Sequence, residues 1–207
     1  MRVEFSRLIT LNGQKNKFNP FKSPDGEGIF SALLQKGPDS LFILLCNLFR
    51  ASIAFSYIPQ VWKATRVVFI PKHGHNNYTE AKAYRPISLA SFLLKSLERL
   101  IERYICKRVL LDTPLHRNHH AYQSLKTCKT ALHSLVSRLE DSMEWKEIAL
   151  GAFLDIEGAF DNTFYESIVL SAHKYGVNDT ICRWINSMLR CRNITASLLG
   201  RQGGLLP

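Results

Sequence analysis

Apolar residues recur at three- and four-residue intervals in two long stretches of the sequence, which is the spacing that lines one face of a helix. In residues 90–109 the apolar positions are Leu93, Leu97, Leu100, Ile101, Tyr104 and Ile105. In residues 130–143 they are Leu132, Leu135, Val136 and Leu139. Both stretches are predicted to be amphipathic helices that pack their apolar face against a core.

Turn and capping residues predict further helices toward the amino-terminal end. Residues 20–28 combine Pro, Asp and Gly in a way that is typical of a turn, and a short helix is predicted for residues 29–35. Asp39 or Ser40 is predicted to cap the next helix, which runs to about Ser56.

Toward the carboxyl-terminal end two more helices are predicted, for residues 164–175 and 179–192, with Gly176 dividing them. Asp161 or Asn162 precedes the first of these helices and is predicted to cap it.

Three stretches predict strands. Residues 65–70 (TRVVFI) are β-branched and aromatic, and residues 85–89 are short and extended. A polar loop joins the two, so they predict a long-looped hairpin, and residues 194–199 predict a last strand. Helices packed against few strands, without regular alternation of strand and helix, indicate the α+β class.

Residues 148–156 (IALGAFLDI) form an apolar stretch of strand length that has no helical period. Such a stretch is typical of a strand buried on both faces. Asp155 lies near its end, where α/β proteins often place ligand-binding groups. Asp155 is therefore a candidate Mg²⁺ ligand, although composition alone favours an ordinary turn or capping aspartate.

The chain carries a formal net charge of +10, and the positive charge is concentrated in residues 61–110. The basic residues there are Lys63, Arg66, Lys72, Lys82, Arg85, Lys95, Arg99, Arg103, Lys107 and Arg108. A clustered surplus of this kind favours nucleic acid as a partner, because phosphate neutralisation needs grouped cations. Arg99, Arg103 and Lys107 share one helical stripe and are the predicted nucleic-acid-binding residues.

Composition also narrows the cellular context. Five widely spaced cysteines fit neither a zinc site nor a disulfide framework, and the amino terminus lacks the apolar core of a signal peptide. The most apolar stretch, residues 41–55, contains Asn47 and Arg50, which predicts a buried helix and no membrane span. We expect an intracellular protein, in a nuclear or cytoplasmic ribonucleoprotein, that is not secreted.

Several strings occur in the order known from one family. They are FKSPDGEGIFSALLQKG, VVFIPK, YRPISL, HRNHHAYQSLKTCKTALHSLV and FLDIEGAFDNT. From about Phe18 onward the chain resembles the reverse transcriptase of non-LTR retrotransposons of the jockey-like kind. The resemblance implies a partial right-hand polymerase fold. Residues 1–146 would form the fingers region and the helix leading into the palm, and residues 147–207 the amino-terminal part of the palm.

The resemblance also implies roles for particular residues. Asp155 would be catalytic and would bind Mg²⁺, and Lys72 and Arg85 would contact the triphosphate of the incoming nucleotide. Phe160 would exclude a ribose 2′-hydroxyl. Gln202 would lie in the family's Pro-Gln-Gly loop, although Arg201 stands where the family has proline. The residues assign no role to Glu157.

The implied activity is RNA-directed DNA synthesis, with an RNA template, a DNA primer, deoxynucleoside triphosphates and Mg²⁺. The family completes its metal site with an adjacent pair of aspartates, which these 207 residues do not contain. We therefore expect this chain to be inactive by itself. The alternatives are a non-catalytic, basic nucleic-acid-binding remnant and an unrelated helical DNA-binding protein.

Overall fold

The computed structural model of the chain describes Ile29 and residues 36–74, 77–198 and 201–206, with residues 197, 198 and 201–206 described as backbone only. The predicted turn at residues 20–28 lies outside the described residues, as does the predicted helix at 29–35 apart from Ile29.

The described residues form helices packed beside a small sheet. The helices are α1 (Asp39–Phe55), α2 (Gln60–Lys63), α3 (Phe92–Tyr104), α4 (Leu110–Asp112), α5 (Cys128–Glu144), α6 (Tyr165–Lys174) and α7 (Asp179–Arg190). The strands are β1 (Ala64–Pro71), β2 (Tyr84–Leu89), β3 (Asn193–Leu198) and β4 (Arg201–Leu206). This arrangement confirms the α+β class.

The sheet joins strands from both halves of the chain, in the order β2-β1-β3-β4. The β1–β2 pair is the predicted antiparallel hairpin, and β3 lies parallel to β1 with Ala64 opposite Asn193. β4 then pairs antiparallel with β3. The hairpin is thus held on its second side by a strand that lies more than a hundred residues later in the sequence.

The core is centred on α1, α3 and α7. Its largest fully buried side chains include Trp62, Trp184, Phe49, Leu94 and Leu97. The indole Nε1 of Trp184 donates a hydrogen bond of 2.9 Å to the Ser52 hydroxyl, which in turn donates to the Tyr57 carbonyl at 2.7 Å. Because each buried polar group in this chain of bonds has a partner, α7 docks on α1 without an unsatisfied donor.

The helix predicted for residues 90–109 is present, but its geometry changes near its end. Ser91 caps α3 by accepting from the Leu93 amide, and the α-helical part ends at Tyr104. Ile105–Val109 then forms a π-helical turn that leads into α4. Single π turns inside helices are uncommon, and they widen the spacing of the side chains that they carry.

Two of the predicted helix caps are wrong. Asp39 is the first residue of α1 and the extended Pro38 holds the cap position, with no side-chain hydrogen bond. Phe164 holds the cap position of α6, because the side chain of Asn162 donates instead to the Glu157 carbonyl, at 3.4 Å. In both places the cap position falls on an apolar residue, Pro38 or Phe164, which composition does not show.

The predicted helix at residues 130–143 is confirmed as α5, capped by Thr127 and Thr130 through two reciprocal hydrogen bonds. Its predicted packing is wrong, because no residue of α5 is buried against the described part of the chain. Leu132 is 61% exposed. The reciprocal cap and the backbone hydrogen bonds of the helix stabilise it, and its apolar face is not covered by the described residues.

The predicted buried strand at residues 148–156 is also wrong. The segment has no regular secondary structure and pairs with none of the described strands. Ile148 and Leu150 are almost fully exposed, as is Leu154. A strand buried on both faces needs neighbours on each side, and no described strand lies beside this one.

Candidate nucleotide and nucleic-acid site

The β1–β2 hairpin brings two predicted triphosphate ligands near its loop end. Arg85 is the second residue of β2 and pairs with Ile70 of β1. Lys72 follows the last residue of β1, and its backbone amide donates to the Ala83 carbonyl at 2.8 Å. The backbones of Lys72 and Arg85 therefore lie close together where the two strands meet the loop.

Two tyrosines fasten the hairpin loop. The Tyr78 hydroxyl donates to the Lys72 carbonyl at 2.9 Å, and the Tyr84 hydroxyl donates to the Tyr78 carbonyl at 3.0 Å. Their rings meet edge to face, with centroids 6.1 Å apart. Within the loop, Asn77 accepts hydrogen bonds from both the amide and the hydroxyl of Thr79. These bonds hold the backbone of Lys72 at the start of the loop.

Asp155 is exposed to solvent, in a segment without regular secondary structure. Its carboxylate accepts a hydrogen bond of 3.0 Å from the backbone amide of the next residue, Ile156. The predicted position at the end of a buried strand is wrong, because residues 148–156 form no strand. The carboxylate is accordingly open on the solvent side, where an ion or a ligand can reach it.

An ion pair connects the Asp155 segment to the hairpin. Lys82 Nζ lies 3.2 Å from a carboxylate oxygen of Glu157, two residues after Asp155. Two residues of chain span at most about 7 Å between Cα atoms. The Cα atom of Asp155 therefore lies within that distance of the Cα atom of Glu157, whose side chain is bound to the hairpin loop that separates Lys72 from Arg85.

A hydrogen-bonded turn follows Glu157. Gly158 has a φ of +63°, and a Cβ added there would lie 2.8 Å from the Asn162 side chain, so glycine suits this position. The backbone amide of Asn162 donates to the Gly158 carbonyl at 2.9 Å. Phe160 projects from the turn with 84% of its surface exposed. The predicted steric role of Phe160 therefore needs a ligand or another segment against the ring.

The stripe predicted to bind nucleic acid divides at the π turn. Arg99 and Arg103 lie on α3 and are half-buried, whereas Lys107 is exposed within the π turn. Nearby, Glu98 forms an ion pair with Arg192, which joins α3 to the start of β3. Burial raises the pKa of the Glu98 carboxyl, and the charge of Arg192 opposes that shift. Part of this basic surface is thus occupied by contacts within the fold.

The remaining predicted residues add little to the site. Gln202 lies in β4, where its backbone alone is described. Within the described ranges no three acidic, histidine or cysteine side chains gather closely enough to hold a metal ion. Among these same residues no helix is long and apolar enough to cross a membrane.

Sequence reasoning missed Lys82, Glu157, Tyr78 and Tyr84. Seventy-five residues separate Lys82 from Glu157, so no local pattern relates them. The tyrosines carry a weak signal, because aromatic residues are unusual in an otherwise polar loop of this length.

Comparison with known proteins identifies the family. Residues 70–204 match the family described as reverse transcriptase (RNA-dependent DNA polymerase). The chain belongs to the reverse transcriptase family. The match begins within β1 and covers the hairpin loop, Asp155 and the turn after it.

Two relatives come from the same kind of mobile element. Over 80% of its length the chain is 31% identical to the RNA-directed DNA polymerase from mobile element jockey of Drosophila melanogaster, covering 18% of that protein. Over 79% of its length it is 26% identical to the jockey polymerase of Drosophila funebris, again covering 18% of it. The non-LTR retrotransposon family expected from the motifs is confirmed, and the chain spans about a fifth of the length of these relatives.

Proposed function

We propose that this chain forms the fingers, residues 1–146, and the amino-terminal part of the palm, residues 147–207, of an RNA-directed DNA polymerase. In that role it grips an incoming deoxynucleoside triphosphate beside a hybrid of RNA template and DNA primer. The observation that carries the proposal is the proximity of Lys72 and Arg85 at the loop end of one hairpin. The family membership of the chain supplies the reaction class.

In this proposal the hairpin binds the triphosphate. Lys72 and Arg85 donate charge-assisted hydrogen bonds to phosphate oxygens, and they offset the charge that develops as the phosphoryl group is transferred. The tyrosine contacts of the loop keep the two cations in register before the nucleotide arrives. Phe160 meets the sugar and selects deoxynucleotides by leaving no room for a 2′-hydroxyl, and Gln202 meets the template.

Asp155 fits the requirements of a Mg²⁺ ligand only in part. Mg²⁺ prefers one or two carboxylates together with phosphate oxygens and water, and the solvent-exposed carboxylate of Asp155 can supply one of these ligands. Mg²⁺, when bound, polarises the phosphates and lowers the pKa of the attacking hydroxyl. What Asp155 contributes is a fixed negative charge opposite the cations of the hairpin.

The test is a titration of the chain with a Mg²⁺–deoxynucleoside triphosphate. Lys72→Ala and Arg85→Ala should each weaken binding about tenfold, because a hydrogen bond to a charged group contributes about 1.5 kcal/mol. Lys174→Ala is the matched control, since Lys174 is an exposed cation on α6. Equal affinities for wild type and both hairpin variants would contradict the proposed triphosphate site.

A second candidate function is binding of nucleic acid without catalysis, which the +10 net charge favours. We expect the chain to bind RNA–DNA hybrid with little sequence preference and with affinity that falls steeply as salt rises, because bound phosphates release counterions. Replacing Arg99, Arg103 and Lys107 with Ala should lower the affinity and reduce the log–log salt slope by about 2–3.

The control for this experiment removes the same charge elsewhere, by Ala substitutions at the exposed Arg50, Lys174 and Arg183. The control variant should keep the wild-type slope. If the two triple variants behave alike, the α3 stripe is no part of the nucleic-acid surface and only overall charge matters.

A further inference from the structure

The Lys82–Glu157 ion pair joins two segments that otherwise make local hydrogen bonds. The hairpin loop is held by its own Tyr78, Tyr84 and Asn77, and the turn after Asp155 is held by Asn162 and Thr163. Within the described residues, the bond between Lys82 and Glu157 is the side-chain hydrogen bond that connects the two. This ion pair is important because it connects the loop between Lys72 and Arg85 to the segment that carries Asp155.

We propose that Glu157 is a positioning residue, whose ion pair with Lys82 sets Asp155 against the hairpin that carries Lys72 and Arg85. This inference rests on the proposed function. It assigns to Glu157 and Lys82 no contact with the substrate. They act through the backbone, because Glu157 lies two residues after Asp155 and Lys82 lies three residues before Arg85.

The Asp155 segment needs such a tether because no ladder holds it. Residues 148–156 are exposed and have no regular secondary structure, and they pair with none of the described strands. Exposed chain without backbone pairing moves on a fast timescale and leaves the carboxylate position poorly defined. A bond to Glu157 acts two residues away from Asp155, which is close enough to limit that movement.

The elements at both ends of the ion pair are internally rigid. Glu157 begins a turn that is fixed by the +63° φ of Gly158 and by the hydrogen bond from Asn162 to the Gly158 carbonyl. Lys82 lies in the short 3₁₀ turn Ala81–Ala83, whose last residue accepts the Lys72 amide and is itself buried. A contact between two rigid elements transmits position, although a single exposed pair contributes little stability.

The test separates positioning from folding by measuring how much Mg²⁺ improves triphosphate binding. The quantity is the ratio of the dissociation constant in EDTA to that in Mg²⁺. Lys82→Glu and Glu157→Lys should each lower this ratio about two- to fivefold, the range expected for an exposed ion pair. The double variant Lys82→Glu/Glu157→Lys should restore the ratio, because it re-forms the pair with the charges exchanged.

Two controls define the readout. Asp155→Ala should abolish the Mg²⁺ dependence, whereas Lys72→Ala should weaken binding in both conditions and leave the ratio unchanged. If Lys82 binds phosphate directly, Lys82→Glu will weaken binding in EDTA as well and the exchanged pair will not restore it. That result would overturn the positioning role.

Carbodiimide cross-linking examines the pair without any nucleotide. The reagent converts the Glu157 carboxylate to an O-acylisourea. The Lys82 amine attacks the carbonyl carbon of this group and releases the urea, and mass spectrometry can map the amide that forms. Wild type at low salt should yield the 82–157 linked peptide and Lys82→Ala should not. Absence of the link in wild type would overturn the proposal.

The inference and the proposed function can fail separately. A wild-type chain with no Mg²⁺-dependent triphosphate binding contradicts the proposed function, and with it the effect assigned to Glu157. A wild-type chain that keeps this dependence, together with both charge reversals leaving the ratio unchanged, contradicts the positioning role alone.

Discussion

The 207-residue chain by itself is expected to give no detectable extension of a DNA primer on an RNA template with Mg²⁺ or Mn²⁺. Two-metal phosphoryl transfer needs several carboxylates that hold both ions a few ångströms apart. Asp155 offers one. After it the sequence contains four acidic residues, no two of them adjacent: Glu157, Asp161, Glu166 and Asp179.

The structure shows why these later acids do not complete the site. Glu157 is paired with Lys82, Glu166 with Arg190 and Asp179 with His173. A local backbone hydrogen bond and the bond from Arg190 lower the pKa of Glu166, which is engaged between α6 and α7. These three carboxylates thus each bind a basic side chain.

The assay is primer extension, with Asp155→Ala as the matched variant. Wild type and Asp155→Ala should give the same background. Extension that is present in wild type and lost in Asp155→Ala would refute the prediction, and it would imply that a second copy or another chain supplies the missing carboxylates.

The Trp184→Ala variant is expected to lose about 3–5 kcal/mol of folding free energy. Trp184 is 1% exposed and fills the junction of α7 with α1. Its replacement by alanine leaves a large cavity and removes the donor that binds the Ser52 hydroxyl. The loss is a large fraction of the stability of an ordinary domain. Urea unfolding, followed by circular dichroism, measures it.

Two milder variants separate packing from hydrogen bonding. Trp184→Phe keeps a buried ring and should cost less than Trp184→Ala. Ser52→Ala leaves the indole N–H without its acceptor and should cost about 1–3 kcal/mol. If Trp184→Ala changes stability by no more than Ser52→Ala, the junction does not depend on the volume of the indole.

The sequence predicted those elements whose patterns are local. Residues 90–109 and 179–192 were recognised as helices because their apolar residues face a core built by the same helices. Residues 65–70 and 85–89 were recognised as a hairpin because β-branched residues and turn chemistry act over short distances. The family was recognised because its sequence motifs are also short, local patterns.

Structural features that depend on residues distant in the sequence could not be predicted. The burial expected for residues 148–156 requires neighbouring strands, and hydrophobicity alone does not say whether such neighbours exist. Lys72 and Arg85 were predicted as ligands from motif resemblance, but their proximity follows from the pairing of β1 with β2. The pairing of Lys82 with Glu157 depends on tertiary structure and leaves no trace in either local sequence.

The parallel pairing of β1 with β3 has a consequence for synthesis on the ribosome. Ala64 leaves the ribosome 129 residues before its partner Asn193. At about 5–20 residues per second, β1 waits about 6–26 s for the strand that completes its second side. During that interval the inner edge of β1 has unpaired backbone groups and can accept a foreign strand. Slower translation between these two strands would lengthen the exposure, and a chaperone that covers an extended edge would act at this stage.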